Sequence, residues 1–272
     1  MDLNPPDHNF LSVRKVRRGS LELLVADTHR EFWDKFEDEA WEPETLAVFE
    51  HYLTPSTVHL DIGAWIGPTV LFAASKAARV LAFEPDPVAF ASLRYAVDAN
   101  PHLSPVELYP VAIAGSSGHL TLGSKSNPGD SMSSILFSDG PVKWNVKASR
   151  IEDFEHSWPA DAPVFMKIDI EGGEYELLPA LADFIRRRRP TIHLSLHGKF
   201  FLGDKLHASL PVRTLAELRL FAKFLRFLPV VRSYKFVYDS TGQPVELLHL
   251  LQRNYWRHTP SLVFANTPLA DV

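Results

Sequence analysis

Asp61, Gly63, Ala64 and Gly67 fall within the stretch His59-Leu-Asp-Ile-Gly-Ala-Trp-Ile-Gly-Pro68, and Glu84 and Pro85 close the stretch Ala82-Phe-Glu-Pro85. Glycines at 63 and 67 let a backbone turn sharply and approach a ligand closely. A carboxylate at position 61 can pair with a ligand ammonium, and one at position 84, 23 residues on, can accept both hydroxyls of a ribose. These residue types offer a grip on a nucleoside-bearing ligand. A second group offers proton transfer: Asp169, Glu171 and Glu174 in Met166-Lys-Ile-Asp-Ile-Glu-Gly-Gly-Glu174, with His193, Ser195 and His197 beyond them. An imidazole has an ordinary pKa of about 6.5, so His197 suits the role of general base at neutral pH. His193 reads as a hydrogen-bonded core residue, and Glu174 as a helix cap. Asp169, Glu171 and His197 could instead hold a divalent cation, but no tight ligand spacing supports one, and no metal is expected.

Residues of these types work together only if strand ends bring them to one edge. From residue 57 onward, short β-rich runs alternate with helical patterns, which predicts parallel strands joined by right-handed crossovers. Strands are expected over 57–62, 79–83, 106–113, 164–170 and 191–197, with a last strand over 261–265 that suits an antiparallel closing hairpin with 230–238. Helices are expected from Pro68, from Pro87 with Asp86 as its cap, over 174–188, and after Pro211 with Leu215, Leu218, Phe221, Ala222 and Leu225 on its apolar side. Residues 115–140, rich in Gly, Ser and Asp, read as short hairpin strands with an exposed loop over 125–134. Ahead of all this, residues 1–57 carry a hairpin around Arg18-Gly19 and a helix started by Pro43, an N-terminal cap before a main domain over 58–272.

A chain of 272 residues suits one large α/β domain with such an addition. The absence of cysteine excludes disulfides, thiolate metal sites and cysteine nucleophiles. A formal charge of -5 argues against a nucleic-acid partner, because that affinity comes from neutralising phosphates. The basic run from Arg186 to Arg189 reads as the end of a helix, where cations meet the negative end of the macrodipole. No apolar run is long enough for a membrane span and the N-terminus lacks a secretory pattern, so a cytoplasmic location is expected.

A nicotinamide dinucleotide also wants an acid about 20 residues past its glycines. Its fingerprint would need glycines at 65 and 68, where this chain has Trp65 and Pro68. A bulky residue at 65 obstructs close approach to a pyrophosphate, and a cofactor without phosphate, such as S-adenosylmethionine, needs no such approach. No Gly-Lys-Ser/Thr follows to make a Walker loop.

Taken together, Leu60-Asp-Ile-Gly-Ala-Trp-Ile-Gly67, Ala82-Phe-Glu-Pro85 and Lys167-Ile-Asp-Ile-Glu-Gly-Gly-Glu174 resemble the FkbM family of S-adenosylmethionine-dependent methyltransferases over about residues 40–200. The resemblance implies a Rossmann-like class I methyltransferase fold, a mostly parallel doubly wound sheet with an antiparallel C-terminal strand. It implies Asp61, Gly63, Ala64, Gly67 and Glu84 at the cofactor, with Pro85 next to them in the matched block, and the Asp169/Glu171 block beside the active site, where the residues themselves add His197 as a further catalytic candidate. Asn100 and Asp153 also look like family positions. The implied activity is O-methylation of a small-molecule hydroxyl, on a sugar, glycan or polyketide-like acceptor. Trp65 and the 193–197 strand end depart from the family's usual residues, which touches the acceptor and the base more than the cofactor. The N-terminal segment and the 125–134 and 199–210 loops are expected to enclose the acceptor, and Trp41, Trp65 and Trp144 to offer apolar or stacking surfaces. The competing readings are a nicotinamide-dependent oxidoreductase and a non-catalytic S-adenosylmethionine-binding module.

Overall fold

The computed structural model describes residues 12–124, 129, 134, 136, 142–258 and 260–269. It opens with the expected hairpin, β1 (Val13–Arg18) and β2 (Leu21–Ala26), paired antiparallel. A helix absent from the sequence expectation follows, α1 (Arg30–Glu37). It is short, and His29 stands at its N-cap instead of the Ser, Thr, Asp or Asn that announces a helix start. Helix α2 (Pro43–Tyr52) then leads into β3 (Val58–Ile62), α3 (Pro68–Ala74), β4 (Arg79–Phe83) and α4 (Pro87–Asp98). The Asp86 carboxylate caps α4 by accepting from the backbone N–H groups of Val88 and Ala89 at 2.8 and 3.3 Å.

The expected single strand over 106–113 is two strands in two sheets, β5 (Val106–Tyr109) and β6 (Val111–Ile113). Pro110 divides them, because a residue without an N–H cannot carry a ladder onward. β6 joins β7 (Gly118–Ser124) and β8 (Val142–Ser149) in a separate three-stranded sheet, while β5 stays at the edge of the main one. The 125–134 loop lies outside the described residues except for Gly129 and Ser134. β9 (Val164–Ile168) ends two residues earlier than expected. The helix expected over 174–188 is interrupted near Pro179 into α5 (Glu174–Ala180) and α6 (Ala182–Arg188). β10 (Thr191–Ser195) also stops short, and His197 stands at the N-cap of α7 (Gly198–Leu202), so the segment expected as a 199–210 loop begins as helix. α8 (Leu210–Val231), β11 (Phe236–Asp239), α9 (Arg253–Arg257) and β12 (Ser261–Ala265) complete the chain.

The main sheet has the order β11-β12-β10-β9-β3-β4-β5. β12 runs antiparallel to both of its neighbours, and the other pairings are parallel. Every residue of β3 and β9 is buried, as central parallel strands covered on both faces must be. One apolar cluster joins one face of the sheet to α5, α6 and α8. A second runs from Val16, Leu23 and Trp33 of the N-terminal segment through Phe49 to Val70 and Leu93. α8 corrects the expectation about its faces: Ala216, Leu220, Phe224, Phe227 and Val231 are buried, whereas Leu215, Leu218 and Leu225 are turned outward. Apolar residues occur on both sides of this helix, so its periodicity could not choose between them.

The N-terminal hairpin is fastened to the sheet domain by Asn100. Its Oδ1 accepts from Leu24 N at 3.0 Å, and its Nδ2 donates to the carbonyls of Leu24 and Ala96 at 2.7 Å each. The buried amide thus pairs with β2 as a neighbouring strand would. Asp153 is also structural, accepting from Arg150 N and Ser117 Oγ at 3.2 and 3.0 Å. The Asn100→Ala variant should lose about 2–3 kcal/mol of stability, since three buried hydrogen bonds disappear and Leu24 is left unpaired. Urea unfolding checks this, and a midpoint equal to that of the parent would remove Asn100 from the fastening role.

Candidate active site

The chain leaves β3 toward one side of the sheet and returns through β9 on the other, so a crevice opens where their carboxyl ends diverge. A cavity of about 680 Å³ occupies it, a size ordinary for a small-molecule site. Its floor is the turn after β3. Gly63 has φ +87°, and a Cβ there would collide with the Asp169 carbonyl oxygen, so only glycine fits. Gly67, at φ +98°, would bring a Cβ to 2.7 Å from Leu93 Cδ1. Gly63, Ala64, Glu84, Pro85, Asp169, Glu171, Ser195, His197 and Ser261 all line the cavity. Phe32, Trp41 and Glu42 close it from the N-terminal segment, as expected, and β6 adds Val111 and Ile113. The 199–210 segment and Trp144 do not line it.

Glu84 is buried and faces this space. Its Oε2 accepts from Trp65 N at 2.7 Å and its Oε1 from Asp86 N at 2.8 Å, leaving each oxygen a further lone pair. Burial pushes its carboxyl up to about 7, against the pull of the two N–H groups. Trp65 itself has φ +49° and donates from Nε1 to the Gly129 carbonyl at 3.0 Å, while its ring meets Phe32 edge-on at 4.7 Å. Its indole stands where a pyrophosphate would need open backbone.

Asp61 was expected to meet a ligand ammonium, but it is fully buried beneath the turn and is not among the residues lining the cavity. Its carboxylate accepts from Thr69 Oγ1 at 2.6 Å and lies 3.4 Å from both Lys167 Nζ and His59 Nε2. Burial opposes its charge, but Lys167 and the bonds from His59 and Thr69 outweigh that and hold the carboxyl below its usual range. Lys167 also donates to the Gly63 carbonyl at 3.1 Å and lies 3.6 Å from Asp169, and these acids raise its pKa despite complete burial. Lys167 was not expected at the site, although a lysine within the otherwise apolar run Val-Phe-Met-Lys-Ile signals a buried partner, and every residue of that strand is buried. Glu42 was missed for a different reason, since nothing in its local pattern shows that an N-terminal residue reaches the β9 edge.

Elsewhere in the same cavity the structure brings the three catalytic candidates together. His197 Nε2 lies 3.6 Å from Asp169 Oδ1 and 3.4 Å from Glu171 Oε2, and its Nδ1 is 2.9 Å from Glu174 Oε1. Glu174 is an orienting group, fixed by the N–H groups of Ile170 and Gly172 at 3.0 to 3.1 Å. Burial disfavours charge on His197, but the Glu174 hydrogen bond and the three nearby carboxylates win and raise its pKa to about 9. At neutral pH the imidazole is therefore charged and cannot accept a proton, contrary to the expectation from its ordinary pKa. Burial raises Glu171 to about 7, with His197 opposing and Asp169 and Glu174 reinforcing the shift. Glu171 is the group poised between states near neutrality. One ligand atom from each of Asp169, Glu171 and His197 lies within 4.8 Å of the others, a convergence that could also admit a divalent cation. His193 is buried beside Thr45 Oγ1 at 3.4 Å, and burial lowers its pKa to about 4, so it stays neutral.

A reversed strand between the two last parallel positions, a glycine turn after the first strand and an acid ending the second belong to a Rossmann-like fold of the class I methyltransferase type. The sequence profile of the methyltransferase FkbM domain matches residues 61–238, and the chain belongs to that family of S-adenosylmethionine-dependent methyltransferases. No curated protein sequence matches it. Among solved structures, the chain is similar to a methyltransferase FkbM from Methylobacillus flagellatus KT, with 18% identity and a TM-score of 0.45 over 78% of this chain and 44% of that one. It is also similar to a putative hemolysin from Streptococcus thermophilus (16% identity, TM-score 0.39, 85% and 66% of the two chains). A SAM-dependent methyltransferase from Agrobacterium tumefaciens shows 11% identity and a TM-score of 0.42 over 94% and 70%. The chain thus spans less than half the length of the Methylobacillus protein.

The raised pKa of His197 has a measurable consequence. Its charge stabilises the fold fully below the unfolded value of about 6.5, and that contribution is lost as pH rises through about 9. NMR titration of the His197 ring should show a midpoint near 9, falling by about one unit or more in Glu174→Gln. A midpoint near the ordinary histidine value in the parent protein would show that the cluster is not arranged in this way.

Proposed function

We propose that the chain binds S-adenosylmethionine across the β3/β4 edge and methylates a hydroxyl oxygen of a small-molecule acceptor of the sugar, glycan or polyketide type. The observation that carries this reading is that Glu84 and the Asp169/Glu171/His197 cluster line one and the same cavity. When bound, the cofactor supplies an electrophilic methyl group on a sulfonium. The spare lone pairs of Glu84 accept the two ribose hydroxyls, and Gly63, Ala64 and Pro85 let the nucleoside lie close to the backbone. Asp61 acts as a positioning residue, holding the turn through Lys167 and Thr69. Trp41, Phe32 and Trp65 exclude water and give the acceptor an apolar surface. At the Asp169/Glu171/His197 cluster Glu171 takes the hydroxyl proton, its pKa near 7 matched to that task, while charged His197 holds the carboxylate in place. Family membership supports the transfer chemistry, and the aromatic lining from Phe32, Trp41 and Trp65 supports a sugar-like acceptor.

Titration calorimetry with S-adenosylmethionine, S-adenosylhomocysteine and NAD tests the cofactor. The first two should saturate one site, and NAD alone doing so would assign an oxidoreductase instead. Glu84 accepts two hydroxyl donors only when ionised, so with a pKa of about 7 its affinity for S-adenosylmethionine should fall about tenfold from pH 8 to pH 6. Glu84→Gln should bind more weakly and lose that pH dependence; an unchanged dependence would clear Glu84 of the role. Product formation from a sugar-hydroxyl acceptor panel should survive EDTA. Loss with EDTA and rescue by Mn²⁺ would convert the Asp169/Glu171/His197 cluster into a metal site, and cofactor binding without product from any acceptor would favour a binding module.

A further inference from the structure

α8 has two apolar faces, and the fold uses one. Opposite the buried face, Pro211, Leu215, Leu218, Ala222, Leu225 and Pro229 follow one another at alternating steps of four and three residues, so they form one stripe along the helix. Leu215 is 51% exposed, Leu218 60% and Leu225 44%. Leu210 and Val212 extend the apolar surface at the N-terminal end with exposures of 66% and 48%. Scattered exposed leucines call for no explanation, but a continuous stripe along a 22-residue helix does.

The charges around the stripe indicate what covers it. Arg219 and Arg226 stand one turn beyond Leu215 and Ala222 along one flank, with Lys223 beside them and Arg213 nearer the helix start. The acid within α8, Glu217, is already held by Arg253 at 2.6 Å and Arg257 at 3.0 Å. Lys223 and Arg226 share Glu176 of α5, and Arg213 and Arg219 have no acidic partner among the described residues. A net-negative chain has therefore gathered four cations beside exposed leucines against one acid, Glu176, that two of them share. A second copy of the chain does not complement this face: an antiparallel helix pair would set Arg219 and Arg226 against their own kind, and a parallel pair would set them against Thr214, Phe221 and Leu228. An anionic lipid surface complements both the apolar stripe and its basic flank. Among the described residues no helix is long and apolar enough to cross a membrane, so the docking argued for α8 is along the surface.

We infer that α8 docks lengthwise onto anionic lipid, its outward leucines at the acyl boundary and Arg219, Lys223 and Arg226 at the level of the phosphates. The inference goes beyond the methyl-transfer reading and does not rest on it.

Co-sedimentation of the full chain with phosphatidylcholine vesicles, with and without phosphatidylglycerol, tests it. The protein should partition onto the anionic vesicles alone and be released as salt rises. The variants Leu215→Ser/Leu218→Ser/Leu225→Ser and Arg219→Glu/Arg226→Glu should each lower partitioning about tenfold or more. Both alter exposed positions, and melting temperatures matching the parent would show that the fold is kept. The charge-reversed protein melts independently of the leucine variant, so a folding failure in one leaves the other to decide. Absence of partitioning, equal partitioning onto neutral vesicles, or partitioning unchanged in both variants would overturn the inference. So would a dimer by light scattering that the leucine variant dissociates, which would assign the face to a second copy.

Discussion

Lys167 is a cation placed where water cannot reach it, and the geometry of the cavity floor follows from how that charge is answered. Its ammonium meets Asp61 at the end of β3, the Gly63 carbonyl in the turn and Asp169 at the end of β9. A buried charge with a missing partner is far more costly than one that is matched, so these three groups are not free to move apart. Register makes the arrangement possible, because Asp61 and Lys167 are direct partners across the parallel β3/β9 pairing. Thr69 adds the start of α3 to the same carboxylate. The pair need not add net stability. What it does is fix one geometry for the strand ends and the turn.

Around that fixed floor, carboxylates of one chemical type are given different behaviour by their surroundings. Asp61 faces a cation and stays ionised; Glu84 and Glu171 are buried without full compensation and sit near neutrality. Glu174 is held by backbone N–H groups, and in turn keeps His197 charged. The protonation behaviour of these acids is thus set by depth and neighbours, not by residue type.

Local chemistry made much of this legible in the sequence. The Gly63/Gly67 turn, the Asp86 cap and the prolines opening α2, α3 and α4 act within a few residues, and alternation of β-rich and helical runs gave the sheet its class. Features that depend on distant pairing were not legible. Asp61 could be placed at a strand end from its position, but its inward direction depends on Lys167, more than 100 residues away. The state of His197 depends on three acids of the separate 169–174 segment, brought to it by the β9/β10 pairing. α8 was misread because both of its faces carry leucine and phenylalanine, so amphipathicity alone could not say which one the core would take. Pro110 was visible and should have divided the strand over 106–113, since its missing N–H is a local fact.

The apolar cluster that begins at Val16 and Trp33 and ends at Val70 and Leu93 makes the N-terminal segment part of the same packed body as the sheet. Phe32, Trp41 and Glu42 are consequently held on a wall whose movement would strip apolar surface from the core. For a visiting molecule this changes the thermodynamics of recognition. With that wall already in place, little of the association free energy is consumed in ordering it, and discrimination between acceptors falls to fit against a preorganised shape.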